Sequence, residues 1–508
     1  MLYKRRDFIK ISGITAAGSL IVPSLLQSCK GTALSGGVST YLEHFEVTPE
    51  LLKKVILTAM SKGGDYADLY FEHTINNYSN LEDGKVNQAS SNIAYGVGIR
   101  VLKGDQTGYA FTEIITPEAM LKAAGTAASI ANDTGKSITE NITEFTSPNL
   151  YPVVTTWEDT SVREKIPFLE RLNEKIFALD GKVTKVNASI GDTTSYIMFY
   201  NSEGLLACDY RPLVYISGTS VMEKDGRTEN ANVSRSARKG AEFLTNELVD
   251  NMAQDVVAKT NLQFLAGKPK AGEMEVVMSA GESGILLHEA IGHAFEADFN
   301  RKKTSIFSDK LNKKVAEDFI TIVDDGTLPS DRGSLNFDDE GNATENTVIV
   351  RNGILSSYLH DRISAAYYNV KPTGNGRRQS FRFMPVPRMR STRMENGPHK
   401  KEEIIASVRN GVYVDNLSNG QVNIGAGDFT FFVKAGYLIE NGKLTMPIKD
   451  INIIGNGPQA LADIVMAGDD AKLADGTWTC GKAGQSVPVT LGLPTVKVRK
   501  LVVGGVNA

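Results

Sequence analysis

The feature that most constrains this chain is residues 284–299, GILLHEAIGHAFEADF, which place His288, Glu289 and His293 on one predicted helix. The chain of 508 residues has only six histidines, so a pair within one helix stands out. Imidazole nitrogens are good zinc donors, and a carboxylate beside one of them can accept a proton from water. The segment therefore predicts a metal site in which Glu289 acts as a general base.

The spacing of the two histidines predicts an irregular helix. With 3.6 residues per turn, side chains four positions apart lie about 40° apart around the axis, and side chains five positions apart lie about 140° apart. His288 and His293 are five positions apart. One ion can therefore bind both only if the helix widens locally into a π-type turn, a distortion that occurs often at functional sites. Gly292 lowers the steric obstacle to such a turn.

The size and the net charge of the chain limit the kinds of function that it can have. The chain is 41% apolar, which is enough material for two or three domains with their own cores. A net charge of −4 gives no basic excess, so nucleic acid is not an expected partner. No segment reaches the roughly 20 continuous apolar residues that a membrane-spanning helix needs.

The N-terminal 29 residues are interpreted as an export signal. Residues 4–10, KRRDFIK, precede a mildly apolar run over 11–26, as in twin-arginine signals. Residues 25–29, LLQSC, are similar to a bacterial lipobox, although Gln27 is larger than the usual residue. We therefore expect export to the periplasmic side of a bacterial membrane and a lipid anchor at Cys29. The alternative is an uncleaved N-terminal segment without this role.

The predicted fold class is α+β, with two domains. A linker over 30–48 leads into an N-terminal mixed α/β domain with an antiparallel sheet, residues 49–266. The composition GKPKAG at 267–272 is typical of a linker, and it marks the domain boundary. Residues 273–508 form a β-rich domain that carries the histidine helix, with a closed or strongly bent sheet from residue 412 onward.

Individual elements follow from capping residues and from the periodicity of apolar positions. Helices are predicted after Thr48 and after Thr116, and over 162–179 and 241–265. Strands are predicted at the following residues: 66–73, 93–102, 108–112, 183–190, 195–200, 214–222, 274–278, 319–323, 347–351, 420–426, 430–440 and 444–454.

A catalytic zinc needs three protein ligands, so a third donor must join the two histidines. Glu296 and Asp298 follow on the same segment, and Cys480 is the distant candidate. Residue types and spacing do not choose among these three. Of the other cysteines, Cys208 lies among strand-forming residues and is interpreted as a buried structural thiol.

Several blocks of sequence resemble the signature blocks of the TldD/PmbA metallopeptidase family, in its TldD-like branch. The resemblance extends from about residue 51 to residue 505. The blocks are HEAIGH at 288–293, TGNGR at 373–377, IENG at 439–442 and TCGKAGQSVP at 479–488.

The resemblance implies a function for each candidate residue. His288, His293 and Cys480 would bind Zn²⁺, and Glu289 would activate water to hydrolyse short or unfolded peptides. The PmbA-like branch lacks the HExxxH motif and acts as a partner subunit, so a homodimer or a heterodimer with a PmbA-like paralogue is expected. Two alternatives are a non-catalytic peptide-binding or assembly subunit and an enzyme that hydrolyses a non-peptide amide.

Substrate-binding residues are less defined. The resemblance suggests that peptide is held as an added strand, with glycine-rich residues 420–427 as one candidate surface. Candidate side chains are the arginines at positions 377, 378, 382 and 388. The alternative is that these arginines lie in a solvent-exposed loop or form ion pairs between domains. His360 is either an oxyanion donor or a structural histidine paired with Asp361 or a neighbour.

Overall fold

The computed structural model describes residues 37–138 and 141–505, without the side chains of residues 418 and 419. The predicted export signal and Cys29 lie outside the described residues. No helix in the described ranges is both long enough and apolar enough to cross a bilayer.

The helices are short compared with the strands. They are α1 Val38–His44, α2 Pro49–Met60, α3 Pro117–Ala128, α4 Val162–Leu179, α5 Asn246–Leu265, α6 Ala297–Arg301, α7 Arg362–Tyr368, α8 Lys401–Ala406 and α9 Gly457–Ala462. The side chains of Thr48 and Thr116 cap α2 and α3 by accepting hydrogen bonds from main-chain N–H groups. These starts, and both ends of α4, lie where the sequence predicts them. The predicted helix over 241–265 is a 3₁₀ turn, Ala241–Phe243, followed by α5.

The predicted linker over 30–48 is wrong in its second half, because α1 and the residues after it are packed against the sheet. Tyr41 and Phe45 are buried, and the Phe45 ring lies 5.4 Å from that of Phe71. A single short helix gives a weak sequence signal, and this one is ordered by tertiary contacts.

One sheet of long antiparallel strands forms the N-terminal half. Its strands are β1 Tyr66–Glu82, β2 Lys85–Lys103, β3 Gln106–Thr112, β4 Thr143–Glu144, β5 Val183–Asn201, β6 Leu205–Lys224 and β7 Arg227–Ala237. The order is β3-β2-β1-β5-β6, and β4 and β7 both pair with β6. Two predicted strands, 183–190 and 195–200, are one continuous strand, β5, and the sequence reading missed β7.

The two faces of this sheet have different neighbours. Helices α2 and α3 cover one half of one face, and α4 and α5 cover the other half. The opposite face contacts the C-terminal half, where Tyr70 and Phe199 pack with Phe337 and Phe381. The central part of the sheet is therefore buried on both sides, whereas the first half of β2 is exposed, and the two halves of the chain share an interface.

The C-terminal half is built from shorter strands. They are β8 Gly272–Met278, β9 Ile322–Asp325, β10 Asn346–Arg351, β11 Ile354–Leu355, β12 Gly376–Arg377, β13 Val386–Pro387, β14 Ser391–Met394, β15 Asn410–Val422, β16 Asp428–Glu440, β17 Lys443–Ile448, β18 Ile451–Asn456, β19 Ile464–Ala467, β20 Lys472–Leu473, β21 Thr479–Lys482, β22 Gln485–Pro488, β23 Thr490–Leu493 and β24 Val496–Val503.

The largest C-terminal sheet closes on itself. Its order is β15-β8-β24-β18-β16-β17, and β15 also pairs with β16, which joins the ends of the five-strand path. The predicted closed or bent sheet is thus present. Two predicted strands have different limits: the one at 420–426 belongs to the end of β15 and the turn after it, and the one at 444–454 is split into β17 and β18. Asp450 has a φ of 51° at this break.

A second sheet, of order β11-β10-β9-β14-β23-β20, lies beside the closed one. The segment that carries the paired histidines contacts β15 and β16 of the first sheet and β14 and β23 of the second. This segment is consequently held inside the domain core, where its own residues Leu287 and Ile291 are buried.

Buried ion pairs join the two halves of the chain. The Arg100 guanidinium donates to Asp68 at 2.8 Å on the neighbouring strand and to Glu340 of the C-terminal half at 2.5 Å. Arg211 contacts Asp339 across the same interface at 2.6 Å. All of these groups are at least nine-tenths buried. Each charge therefore needs its partner to offset the free-energy cost of losing its water.

We expect Arg100→Met to lower the free energy of unfolding by about 3–5 kcal/mol, because Asp68 and Glu340 would each lose their nearest cation in the interior. Urea unfolding followed by intrinsic fluorescence measures the change. The matched control is Arg163→Met on the exposed side of α4, expected to change stability by less than about 0.5 kcal/mol. Equal stabilities for the two variants would contradict the role assigned to this ion pair.

Candidate metal centre

The paired histidines lie on a π-helix, Leu287–Gly292, followed by a 3₁₀ turn, His293–Phe295. The widened turn that the five-residue spacing predicts is therefore present. It brings the His288 and His293 rings to a centroid distance of 5.1 Å with nearly perpendicular planes, 81° apart. Both imidazoles are buried, with exposures of 1% and 4%.

Gly292 is needed for a different reason from the predicted one. Its φ of −58° and ψ of −50° are ordinary right-handed helical values, which any residue adopts. A Cβ atom at this position would lie 2.3 Å from the sulfur of Met389. The glycine therefore permits close packing of the π-helix against the segment that contains Met389.

Cys480 joins the two histidines from a distant part of the chain. It lies on β21, opposite Val487 of β22, and is 1% exposed. Its sulfur is 3.4 Å from His293 Nε2. One donor atom from each of His288, His293 and Cys480 lies within 4.8 Å of the other two. The structure thus brings together the three residues that the family resemblance implied as ligands.

The donor set of these residues suits a metal ion. Neither ring nitrogen of His288 has a hydrogen-bond partner in the described part of the chain, although both are buried. A buried polar atom without a partner is costly, and coordination would satisfy it. Two imidazoles and one thiolate match the zinc sites that keep a position for water or substrate.

Glu296 and Asp298, the other candidate ligands, have different roles in the structure. Glu296 accepts a hydrogen bond from His293 Nδ1 at 2.9 Å and contacts Lys482 Nζ at 3.1 Å. Asp298 accepts from the same ammonium group at 2.7 Å. A proton on His293 Nδ1 leaves Nε2 with its lone pair toward Cys480. The carboxylate of Glu296 therefore selects the tautomer in which Nε2 can bind a metal.

Electrostatics favour the charged forms within this group. Burial opposes ionisation, but Glu296 and Cys480 raise the pKa of His293 well above its usual range. Burial also opposes the Cys480 thiolate, yet His288 and His293 lower the thiol pKa well below its usual range. Burial would raise the pKa of Glu296, but the positive charges of Lys482 and His293 lower this pKa to about 2. The sulfur is accordingly in the thiolate form that binds metals, and a metal ion bound there would displace the proton from His293 Nε2.

Glu289 lies at the edge of this buried group. Its Oε2 is 4.0 Å from His293 Nε2, and its side chain is 24% exposed, whereas the three donors are almost fully buried. The carboxylate is thus near the donors and also open to water. This position suits a residue that exchanges protons with a water molecule.

Several other candidates have structural contacts. His360 packs against Tyr368, with ring centroids 5.4 Å apart, and burial lowers its pKa to about 4. Asp361 caps α7 by accepting from Ser364 N–H, so the predicted His360–Asp361 pairing is absent from the hydrogen bonds of the described chain. Cys208, interpreted from the sequence as a buried structural thiol, is only partly buried and packs against the cluster that contains Met198 and Tyr200.

The four candidate arginines have three different environments. Arg388 is fully buried and donates to the main-chain oxygens of Cys480 and Gln485, so it supports the β21–β22 hairpin. Arg382 is partly exposed and forms an ion pair with Glu113. Arg377 and Arg378 are buried and line a cavity of about 410 Å³ between the two halves of the chain.

The sequence does not indicate how Lys482 and Arg388 support the site, although Arg388 is among the candidate substrate-binding arginines. Lys482 holds Glu296, and Arg388 holds the strand that carries Cys480. Lys482 lies within the TCGKAGQSVP block, but nothing in its local sequence indicates that its partner is a carboxylate far away in the chain. Only the tertiary structure reveals that pairing.

Three domain models of one family match the chain. PmbA/TldA metallopeptidase domain 1 matches residues 67–131, the central domain matches 155–264, and the C-terminal domain matches 271–505. The first two divide the region that the sequence reading treated as one N-terminal domain. In the structure a single sheet, β1 to β7, passes through both.

Two relatives are similar over most of their length. The Metalloprotease TldD homolog of Buchnera aphidicola is 37% identical over 87% of this chain and 93% of the relative. The Zinc metalloprotease TldD homolog of Saccharolobus solfataricus is 29% identical over 89% of this chain and 99% of the relative.

Two solved structures share the multidomain mixed α/β fold. One, from Bacteroides thetaiotaomicron, is described as a modulator of DNA gyrase. It is 21% identical, covers 90% of this chain and 98% of its own, and has a TM-score of 0.71. TldE from Thermococcus kodakarensis is 19% identical, covers 90% of this chain and 100% of its own, and has a TM-score of 0.69.

We expect Glu296→Gln to reduce the affinity for Zn²⁺ by about 10–100-fold, because a neutral amide orients His293 less firmly and makes the ligand less basic. Competition with a chromophoric chelator measures the affinity. The matched control, Asp298→Asn, also removes a carboxylate from Lys482 but leaves the His293 contact intact. Unchanged zinc affinity in Glu296→Gln would refute the orienting role of this carboxylate.

Proposed function

Because the chain belongs to the TldD/PmbA family of metallopeptidases, the PmbA/TldA family of the domain models, we propose that it is a zinc-dependent peptidase that hydrolyses short or unfolded peptides. The observation that carries the proposal is the buried group of His288, His293 and Cys480 with Glu289 at its solvent-facing edge. The name of the Saccharolobus solfataricus relative supports zinc as the metal.

His288, His293 and Cys480 would hold the ion in this proposal. A zinc ion bound there supplies Lewis-acid chemistry, which polarises a substrate carbonyl and makes water more acidic. The chain's own part begins with Glu289, whose carboxylate accepts the proton of the attacking water and then transfers it to the leaving amine. Glu296 and Lys482 keep His293 in the required tautomer throughout.

Burial of the site supports a preference for flexible substrates. The three proposed ligands are at most 4% exposed, so a peptide bond must enter the domain to reach them. A folded protein would have to unfold locally before it could do so, at a large cost in free energy. A short or unfolded chain can adopt an extended conformation and pair with a strand edge without that cost.

We also propose that the protein acts as a dimer, either with a second copy or with a PmbA-like paralogue. The family resemblance of the sequence implies such a partner, and TldE from Thermococcus kodakarensis shares the fold. The activity assay should therefore include the complex recovered from the native bacterium as well as the isolated chain.

Glu289→Gln is expected to retain zinc and to lose about 10²–10⁴-fold in the rate of peptide cleavage, because an amide cannot accept the proton of water. Elemental analysis measures zinc, and cleavage of an unstructured fluorogenic peptide measures activity. Glu402→Gln, on the exposed surface of α8, is the matched control and should behave as the wild type. If Glu289→Gln cleaves as fast as the control, the assignment of the general base is wrong.

The localisation is a further proposal, supported by the basic pair Arg5-Arg6 and by Cys29 in the N-terminal sequence. In a bacterium with twin-arginine export, replacing both arginines by lysine should keep the protein in the cytoplasm. Cys29→Ala should release it from the membrane fraction and abolish labelling with a fatty-acid analogue, because the thiol carries the lipid. Cys208→Ala is the control for loss of a thiol. Labelling that survives Cys29→Ala would overturn the proposed anchor.

A further inference from the structure

The cavity of about 410 Å³ lies between the N-terminal sheet and the C-terminal half. Tyr70 and Glu72 line it from β1, and Val487 and Pro488 line it from β22. Because Val487 is paired with Cys480 across the β21–β22 hairpin, the cavity borders the strand that carries a proposed zinc ligand. Its size falls in the range of small-molecule and peptide-side-chain sites.

Two arginines in the wall of this cavity lack an anionic partner. Arg238 and Arg377 are 4% and 2% exposed, and neither forms an ion pair with a carboxylate of the described chain. Arg377 donates to the Met389 main-chain oxygen at 2.7 Å, and Arg238 donates to that of Pro212 at 3.3 Å. The Nε atom of each has no partner among the described residues. Each guanidinium is therefore buried with its Nε–H group unused by the described residues, although that of Arg238 also lies 5.5 Å from the centre of the Tyr151 ring.

The other arginines in the wall already have carboxylate partners. Arg211 binds Asp209 and Asp339, and Arg378 lies 3.6 Å from Asp68. Arg382, at the more exposed end, is paired with Glu113. These carboxylates are already paired with other arginines, and Asp339 offsets only part of the effect of burial on the pKa of Arg377.

Glu72, the other acidic residue that lines the cavity, does not supply a full negative charge for these arginines either. Burial raises the pKa of Glu72 to about 7, and its oxygens accept from the Thr74 hydroxyl and the Phe381 N–H. Burial, as the largest cause, also lowers the pKa of Arg377 to about 9, although Asp339 acts in the opposite direction. The cavity accordingly has an excess of positive charge in a water-poor environment, and an anion entering it would relieve that cost.

We propose that Arg238 and Arg377 bind a carboxylate of the peptide substrate and so determine which peptides the proposed peptidase prefers. The inference rests on the proposed function, because it assigns the cavity to the same substrate. A planar guanidinium matches a carboxylate with two parallel hydrogen bonds, and a buried pair of them gives both affinity and orientation. The carboxylate is either the C-terminus of the peptide or an acidic side chain near the cleaved bond.

Matched peptides test the proposal and separate these two sources. One unstructured peptide with a free C-terminus and one internal glutamate is compared with its C-terminal amide and with its Glu→Gln form. For zinc-loaded wild type, kcat/KM is expected to fall at least about tenfold when the recognised carboxylate is removed. A fall with the amide identifies the C-terminus, and a fall with the glutamine peptide identifies the side chain. If neither change matters, the proposal is overturned while the peptidase function stands.

Variants of the two arginines locate the effect. Arg238→Gln and Arg377→Gln should each remove most of the discrimination between the matched peptides, whereas Arg409→Gln, at an exposed position, should retain it. Because each glutamine removes a cation without a carboxylate partner, the melting temperature of the ligand-free protein should not fall. Discrimination that persists in both variants would overturn the assignment, and a large fall in melting temperature in both would show a structural role instead.

A binding measurement keeps the proposal testable if no peptide is cleaved. Zinc-loaded Glu289→Gln is titrated into each N-terminally labelled peptide, and fluorescence anisotropy gives Kd. The peptide with the recognised carboxylate should bind at least about tenfold more tightly, and Arg238→Gln in the same background should abolish the difference. Absence of cleavage with this binding pattern would contradict the peptidase function and support the carboxylate site. Equal Kd values for all three peptides would overturn the site.

Discussion

The hydrogen bond between Glu296 and His293 is the interaction on which the candidate metal centre depends. It joins the 3₁₀ turn after the π-helix to Lys482, which belongs to the same hairpin as Cys480. The two segments that supply the donors are therefore connected by charge as well as by packing. Because Glu296 is fully buried, neither end of this connection can be exchanged for water without cost. The protein's own contacts therefore help to fix the geometry of the donors.

The same dependence on buried charge extends to the interface between the two halves. Arg388 fixes the hairpin through main-chain oxygens, and Arg100 and Arg211 connect the N-terminal sheet to Glu340 and Asp339. Interfaces within a chain are often polar and permit relative movement of domains. Here the interior charges are matched across the boundary, so separation of the halves would leave ions unpaired. The hairpin that carries Cys480 therefore links the candidate metal centre to the cavity, which it lines through Val487 and Pro488.

Local patterns in the sequence predicted what depends on nearby residues. The spacing of His288 and His293 was enough to predict a π-type turn, and capping threonines located two helix starts. The third donor stayed open from residue types alone, because Glu296, Asp298 and Cys480 differ in position only after the β21–β22 hairpin has folded against the π-helix. Strand β5 was predicted as two strands since Gly191 and Asp192 are turn formers. In the structure a Cβ atom at Gly191 would meet the Tyr215 ring, and Asp192 pairs with buried Lys165.

Buried arginines in this chain differ in whether they have a carboxylate partner, and this difference supports a ligand site in the cavity. Arg100, Arg211 and Arg390 all have carboxylate partners in the interior, so this fold can place an acid beside a buried guanidinium when stability requires it. Arg238 and Arg377 are as well buried and have none among the described residues. An apolar residue at either position would avoid the desolvation cost that both impose. A fold that retains these two cations beside the strand of Cys480 gives up stability there, and a ligand that brings its own negative charge would recover it.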